Sequence, residues 1–265
     1  RGSDGAFTGA AACMGGVVFF KEDCMERVYP AAGGGHQIVT VSCTGVRRGA
    51  GRTVAVADGV VYYLGNDGVY AFDGSMPVCV SRALGENRYV GGSGGGESGR
   101  YWLSALDAAG NAELLVYDTR RKMWHRQDGT EAVGFARKNG SMMVLCRDGR
   151  LLDTGGDVGQ KEGAFAWSAE SGELGLYTPE HKYLARLELR LRPETGAEVK
   201  AYIQYDGSGV WEQAGSVTGV AGQIRGAVLH LRPRRCGQLR LKLAGTGGCR
   251  VYSAAAVYEK GSDGP

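Results

Sequence analysis

The chain has 265 residues, a formal net charge of +3, 43% hydrophobic residues and 22% charged residues. These proportions predict a globular chain with a buried core and exclude intrinsic disorder, and so small a charge excludes nucleic-acid binding as an inference from bulk charge. No apolar run approaches the roughly 18 residues that a membrane-crossing helix needs.

The 46 glycines follow no Gly-X-Y period, which excludes collagen. They suit many short strands joined by tight turns. The opening Arg1-Gly2-Ser3-Asp4-Gly5 reads as a turn. With neither Met nor a secretory leader there, the sequence is expected to be an excised piece of a longer polypeptide.

Long helical patterns are almost absent. Apolar residues come in runs of four to six between Gly, Asp, Asn and Ser, the mark of strands and turns. Val17-Val18-Phe19-Phe20 precedes a polar turn and Arg27-Val28-Tyr29. Val60-Val61-Tyr62-Tyr63 precedes Asn66-Asp67-Gly68 and Val69-Tyr70-Ala71-Phe72. Tyr101-Trp102-Leu103-Ser104 precedes Ala109-Gly110-Asn111 and Leu114-Leu115-Val116-Tyr117. Met142-Met143-Val144-Leu145 precedes Asp148-Gly149 and Leu151-Leu152. The starts at 17, 60, 101 and 142 give a period of roughly 42 residues, that of a four-stranded propeller blade.

The remaining strands of each blade are expected on either side of its hairpin. Before it come Ala6-Phe7-Thr8, Thr53-Val54-Ala55-Val56, Arg88-Tyr89-Val90 and Ala132-Val133-Gly134-Phe135. After it come Ile38-Val39-Thr40-Val41, Val78-Cys79-Val80, Met123-Trp124-His125 and Phe165-Ala166-Trp167.

From about Leu176 the pattern changes. Leu187, Leu189 and Leu191 alternate with charged residues, as do Leu239, Leu241 and Leu243 around Arg240 and Lys242. Val199, Ala201, Ile203 and Tyr205 take alternate positions on a further strand. Such strands bury one face and solvate the other, as in an antiparallel sandwich. The expected fold is therefore all-β, with about four propeller-type blades over 1–175, part of a larger propeller or completed by a second chain. A β-sandwich over 176–260 follows, with Thr178-Pro179-Glu180 as the junction and Gly261 to Pro265 as a tail.

Chemistry-bearing motifs are few. Gly91-Gly92-Ser93-Gly94-Gly95 matches the hydrolase elbow, and Gly94, Gly96 and Gly99 match the dinucleotide fingerprint. Both motifs need a helix that does not follow here, so the stretch is expected to be a flexible loop. None of His36, His125, His181 and His230 has metal spacing or a neighbouring nucleophile, and His125 is expected to be exposed on an edge-type strand. The Asp-rich turns Asn66-Asp67, Asp153 with Asp157, and Asp206-Gly207-Ser208 match no calcium loop.

The seven cysteines, Cys13, Cys24, Cys43, Cys79, Cys146, Cys236 and Cys249, include no Cys-x-x-Cys pair. They read as small hydrophobes in a reducing compartment. Arg232-Pro233-Arg234-Arg235, with Arg240 and Lys242, reads as a solvated sheet face and loop. Trp102, Trp124, Trp167 and Trp211 are expected in packing, with glycan stacking as the functional alternative. No catalytic, cofactor-binding or metal-binding residue is assigned, and no cofactor is expected.

Several stretches resemble proteins encoded in tailed bacteriophages and prophages of gut bacteria. They are Asp4-Gly5-Ala6-Phe7-Thr8-Gly9, Phe19-Phe20-Lys21-Glu22-Asp23-Cys24, Val69-Tyr70-Ala71-Phe72-Asp73-Gly74, Val116-Tyr117-Asp118-Thr119-Arg120 with Met123-Trp124-His125, and Tyr205-Asp206-Gly207 with Trp211-Glu212. In architecture these relatives look like the propeller-bearing tail hub or nozzle proteins of short-tailed phages. The resemblance implies a non-enzymatic structural protein of the virion tail, assembled in the bacterial host cytoplasm as a homo-oligomeric ring. Its partners would be other tail or head–tail connector proteins, with a host receptor as a further partner, no membrane, and nucleic acid only as cargo passing through a conduit. The alternative reading is a module that binds a glycan or protein of the host surface. A third, a glycan-cleaving enzyme, would require two carboxylates in a central cleft.

Overall fold

A computed structural model describes residues 5–85, 89–155, 165–176, 180–219 and 223–261. The chain is all-β and antiparallel and divides into two units, Arg1–Gly159 and Gln160–Pro265.

The first unit is a series of four meander sheets. The first contains β1 (Gly9–Cys13), β2 (Gly16–Phe20), β3 (Cys24–Pro30) and β4 (His36–Ser42). The second contains β5 (Ala55–Ala57), β6 (Val60–Leu64), β7 (Val69–Phe72) and β8 (Val78–Cys79). The third contains β9 (Tyr89–Glu97), β10 (Arg100–Asp107), β11 (Ala112–Asp118) and β12 (Met123–Asp128). The fourth has three strands, β13 (Ala132–Lys138), β14 (Ser141–Cys146) and β15 (Leu151–Asp153).

Successive sheets pack face to face because their middle strands carry apolar residues at both parities. Phe20 of the first sheet meets Tyr63 of the second, with ring centroids 4.9 Å apart. Tyr62, on the other face of β6, stacks on Tyr101 of the third sheet at 5.1 Å. Trp102, Leu114 and Val116 then cover Ala132, Met142 and Val144 of the fourth. Each such side chain, removed from water, contributes about 1.5–3 kcal/mol. The hydroxyl of Tyr101 donates to the carbonyl of Thr53 at 2.8 Å, so even the buried phenol is satisfied.

The Gly91–Gly99 stretch corrects the sequence reading, because most of it is strand β9 rather than a flexible loop. Glycine is a poor strand former, yet here its missing side chain makes room for backbone. A β-carbon on Gly94 would strike the carbonyl of Thr53, one on Gly96 the carbonyl of Val56, and one on Gly95 the ring-bearing carbon of Phe135. The third sheet is thereby wedged against the second and the fourth.

The hairpins of all four blades lie where the period puts them, and the first strands of the first two blades run later than expected: β1 begins at Gly9 and β5 at Ala55. The expected outer strand of the fourth blade is corrected. Ala166 and Trp167 belong to β16 (Ala166–Glu170), which pairs with β22 (Leu239–Thr246) in the second unit. The division between units accordingly falls at Gly159/Gln160 instead of 175/176. Asp4, Arg88, Asp157, Thr178, Pro179 and residues 262–265 lie outside the described residues.

The second unit has two sheets. One runs β16, β22, β18 (Glu198–Tyr205) and β19 (Glu212–Thr218). The other is built on β17 (Lys182–Pro193), which pairs with β20 (Arg225–His230), β21 (Arg235–Cys236) and β23 (Cys249–Lys260). Leu187, Leu189 and Leu191 pack with Val199, Ala201 and Leu243 between the sheets. Leu184, Ile203, Tyr205, Cys236 and Leu239 form a second cluster at one end.

Candidate functional site

Two places gather polar side chains on a rigid frame. The first is a cleft of about 320 Å³ in the first unit, where β9 and β13 begin. It is lined by Arg52, by Gly91, Gly92 and Ser93, by Ser104, and by Glu131 and Arg147. Ser104 accepts the amide hydrogen of Ala132 at 2.9 Å, fixing one strand start to the neighbouring sheet. Arg147 holds Glu131 through a 2.6 Å ion pair. Among the described residues Glu131 is the one carboxylate of the lining, and Arg52 and Arg147 leave the mouth cationic.

The second is the outer face of the β16-β22-β18-β19 sheet. Strand alternation turns Leu239, Leu241 and Leu243 inward and Arg240 and Lys242 outward. Register then assembles a row across four strands: Glu170 opposite Lys242, Lys242 opposite Tyr202, and Tyr202 opposite Gln213. Gln204 stands opposite Arg240 on the same face.

The loop between β18 and β19 adds the indole. Asp206 and Gly207 take positive φ values of 48° and 62°, the geometry of a tight reversal. The Asp206 carboxylate accepts the amide hydrogens of Gly237 at 2.8 Å and Gln238 at 3.0 Å, pinning the loop. Trp211 thereby lies 5.4 Å from both the Arg240 guanidinium and the Lys242 ammonium. Glu170 bonds both cations, at 3.2 Å to Arg240 and 3.1 Å to Lys242. Arg240 also donates to the carbonyl of Ser171 at 3.2 Å. The half-buried indole is therefore set among side chains whose positions are already fixed, each cation–π contact adding about 0.5–1 kcal/mol.

The other residues singled out in the sequence have structural roles. Trp102 is buried and donates to Glu97, Trp124 packs on Tyr117 and Tyr101, and Trp167 donates to the carbonyl of Gly247. His125 is exposed on β12, as the sequence implies, and partial desolvation of its ring together with nearby Arg100 lowers its pKa. Asp67 accepts from the Tyr70 hydroxyl and Asp153 from the amide of Gly155, which is turn chemistry. No group of three or more potential metal ligands occurs among the described residues. All seven cysteines are free thiols, with Cys24, Cys146 and Cys236 buried. Arg234 is exposed, pairs with Glu212 and lies over the buried Tyr205 ring.

No protein-family model matches the chain, and no curated protein does. Solved structures similar to it include a Phanerochaete chrysosporium exo-β-1,3-galactanase with galactose, at 8% identity and TM-score 0.29, covering 89% of this chain and 78% of that one. A protein described as a glycoside hydrolase matches at 12% identity and TM-score 0.31, covering 92% and 83%. An infectious bursal disease virus structure matches at 12% identity and TM-score 0.26, covering 98% and 72%. The expectation of a non-enzymatic chain is corrected by this comparison, since enzymes that act on glycosides stand among the similar structures. Likenesses this distant assign neither an activity nor a substrate.

Proposed function

We propose that this chain is a glycan-binding protein that reads sugars with the outer face of the β16-β22-β18-β19 sheet. The observation that carries the proposal is Trp211, set against Arg240 and Lys242 with Glu170 tying both cations down. An indole offers a flat apolar surface to the C–H face of a sugar ring. Arg240, Lys242, Glu170 and Gln213 supply the donors and acceptors that ring hydroxyls require. Because these groups already hold one another, little side-chain freedom is lost when a sugar docks. Two cations against one carboxylate favour a glycan that itself bears carboxylates.

The test is titration calorimetry and tryptophan fluorescence against neutral and uronic-acid oligosaccharides. Wild type is expected to bind, and Trp211→Ala to lose at least about tenfold in affinity, about 1.4 kcal/mol, with an unchanged far-UV spectrum. Equal affinity in the variant, or no binding to any member of either class, overturns the reading.

A second reading places the chain in a phage tail, where such a surface would meet a glycan of the host cell. It is supported by the sequence resemblance and by the exposed apolar faces of the first and fourth sheets. Mass spectrometry of purified particles from a producing strain tests it: the chain copurifies with the virion or the reading fails.

A further inference from the structure

The first and fourth sheets each leave large apolar side chains exposed on one face, and the internal packing indicates what those side chains are built to meet. Along the second strand of every blade, alternate residues face the preceding and the following sheet. Tyr63, Tyr101 and Met142 face backward, while Phe20, Tyr62 and Trp102 face forward. By the same alternation Val17 and Phe19 stand on the backward face of the first sheet. Register puts Ile38 on that face, two strands over from Val17 through Val28. Val17 is 37% exposed and Ile38 63% exposed. On the forward face of the fourth sheet, Leu145 and Leu151 are cross-strand partners, 44% and 62% exposed. Large apolar side chains grouped in this way mark an interaction surface.

We propose that the occupant of each face is a second copy of this chain, joined head to tail: the forward face of one copy's fourth sheet covers the backward face of the other's first sheet. The contact continues the interface already made three times within the chain, with the same strands and parities. Made reciprocally, it closes two sets of four sheets into a ring of eight, within the usual range of blade number. The contact is heterologous, joining two different patches of the same chain, so each copy contributes one of each. None of the residues around Trp211 takes part.

The test is light scattering on a size-exclusion column at several concentrations of the whole chain. The expected mass is twice the 28.0 kDa of one chain. Ile38→Glu and Leu151→Glu should each give a monomer, since each spoils both contacts of a reciprocal pair. An equimolar mixture of the two variants should recover a species of two chains, because one of its two contacts pairs two unaltered faces. Val17→Glu serves as the second variant on the first sheet if Ile38→Glu loses its far-UV spectrum. Monomeric wild type at every concentration overturns the proposal. So does a dimer abolished by one variant alone, which would mean like-face pairing, or a mixture that stays monomeric.

Discussion

The α-carbon of Gly96 lies so near the carbonyl oxygen of Val56 that any side chain there would overlap it. The obstacle is backbone, which cannot swing away as a flexible side chain would. Gly96→Ala should therefore destabilise the first unit by about 1–3 kcal/mol, the cost of overpacking. Gly91→Ala, in the same strand with nothing within 4 Å of the added carbon, should stay within about 0.5 kcal/mol of wild type. Urea midpoints for the two variants check the contrast.

Asp58 links the second sheet to the third: its carboxylate accepts from the Thr119 hydroxyl at 2.9 Å and the Gly99 amide at 2.8 Å. The Thr119 hydroxyl foremost, and then the Gly99 amide, hold its pKa below the ordinary carboxylate value. A folded-state value below the unfolded one contributes stability above the ordinary range, near pH 4, and that stability is lost as pH falls through the folded value. Asp58→Asn should thus lower the urea midpoint at pH 7 and converge on wild type in acid. Parallel curves at all pH values would show the hydrogen bonds contribute nothing through ionisation.

Lys182 is fully buried at the start of β17, and its ammonium donates to the carbonyls of Gly175, at 2.8 Å, and Gly237. It fastens the segment before β17 to the turn before β22. Lys182→Met keeps the length and removes the donor, leaving carbonyls unsatisfied at about 1–3 kcal/mol each. A loss of at least about 2 kcal/mol is expected, read by chemical denaturation of the second unit.

Tyr101→Phe removes only the hydroxyl that reaches the Thr53 carbonyl between the second and third sheets. The ring packing on Tyr62 stays. A loss of about 1 kcal/mol is expected, well short of the roughly 3–5 kcal/mol of removing the whole ring in Tyr101→Ala. Thermal melts of the two variants separate the hydrogen bond from the packing.

How far the fold could be read from residue order depended on whether a strand announces itself by its side chains. β2, β6, β10 and β14 are apolar runs bounded by turn residues, so their period was plain. β9 was hidden because Gly94, Gly95 and Gly96 serve it by what they lack, and the atoms that require this, on Thr53, Val56 and Phe135, are distant in sequence. β16 was misplaced because a short run such as Ala166-Trp167 has the same character in a blade as in a sandwich, and only its pairing with Lys242 to Thr246 decides. The Trp211 surface was half legible: alternation turned Arg240 and Lys242 outward, but bringing the indole over them took the reversal at Asp206-Gly207.

Strand pairing also sets an order in which the chain can acquire structure. Each sheet of the first unit joins strands adjacent in sequence, so a blade can close soon after it leaves the ribosome. In the second unit, Trp167 donates to Gly247, 80 positions along the chain, and β17 waits for β23 to cover its length. Loop closure over that distance is slow, and until it happens the leucine face of β17 and the unpaired rim of β16 stay open to any passing strand. The unit that carries Trp211 thus completes its pairing only once β23 has been made, and it is there that a chaperone would act.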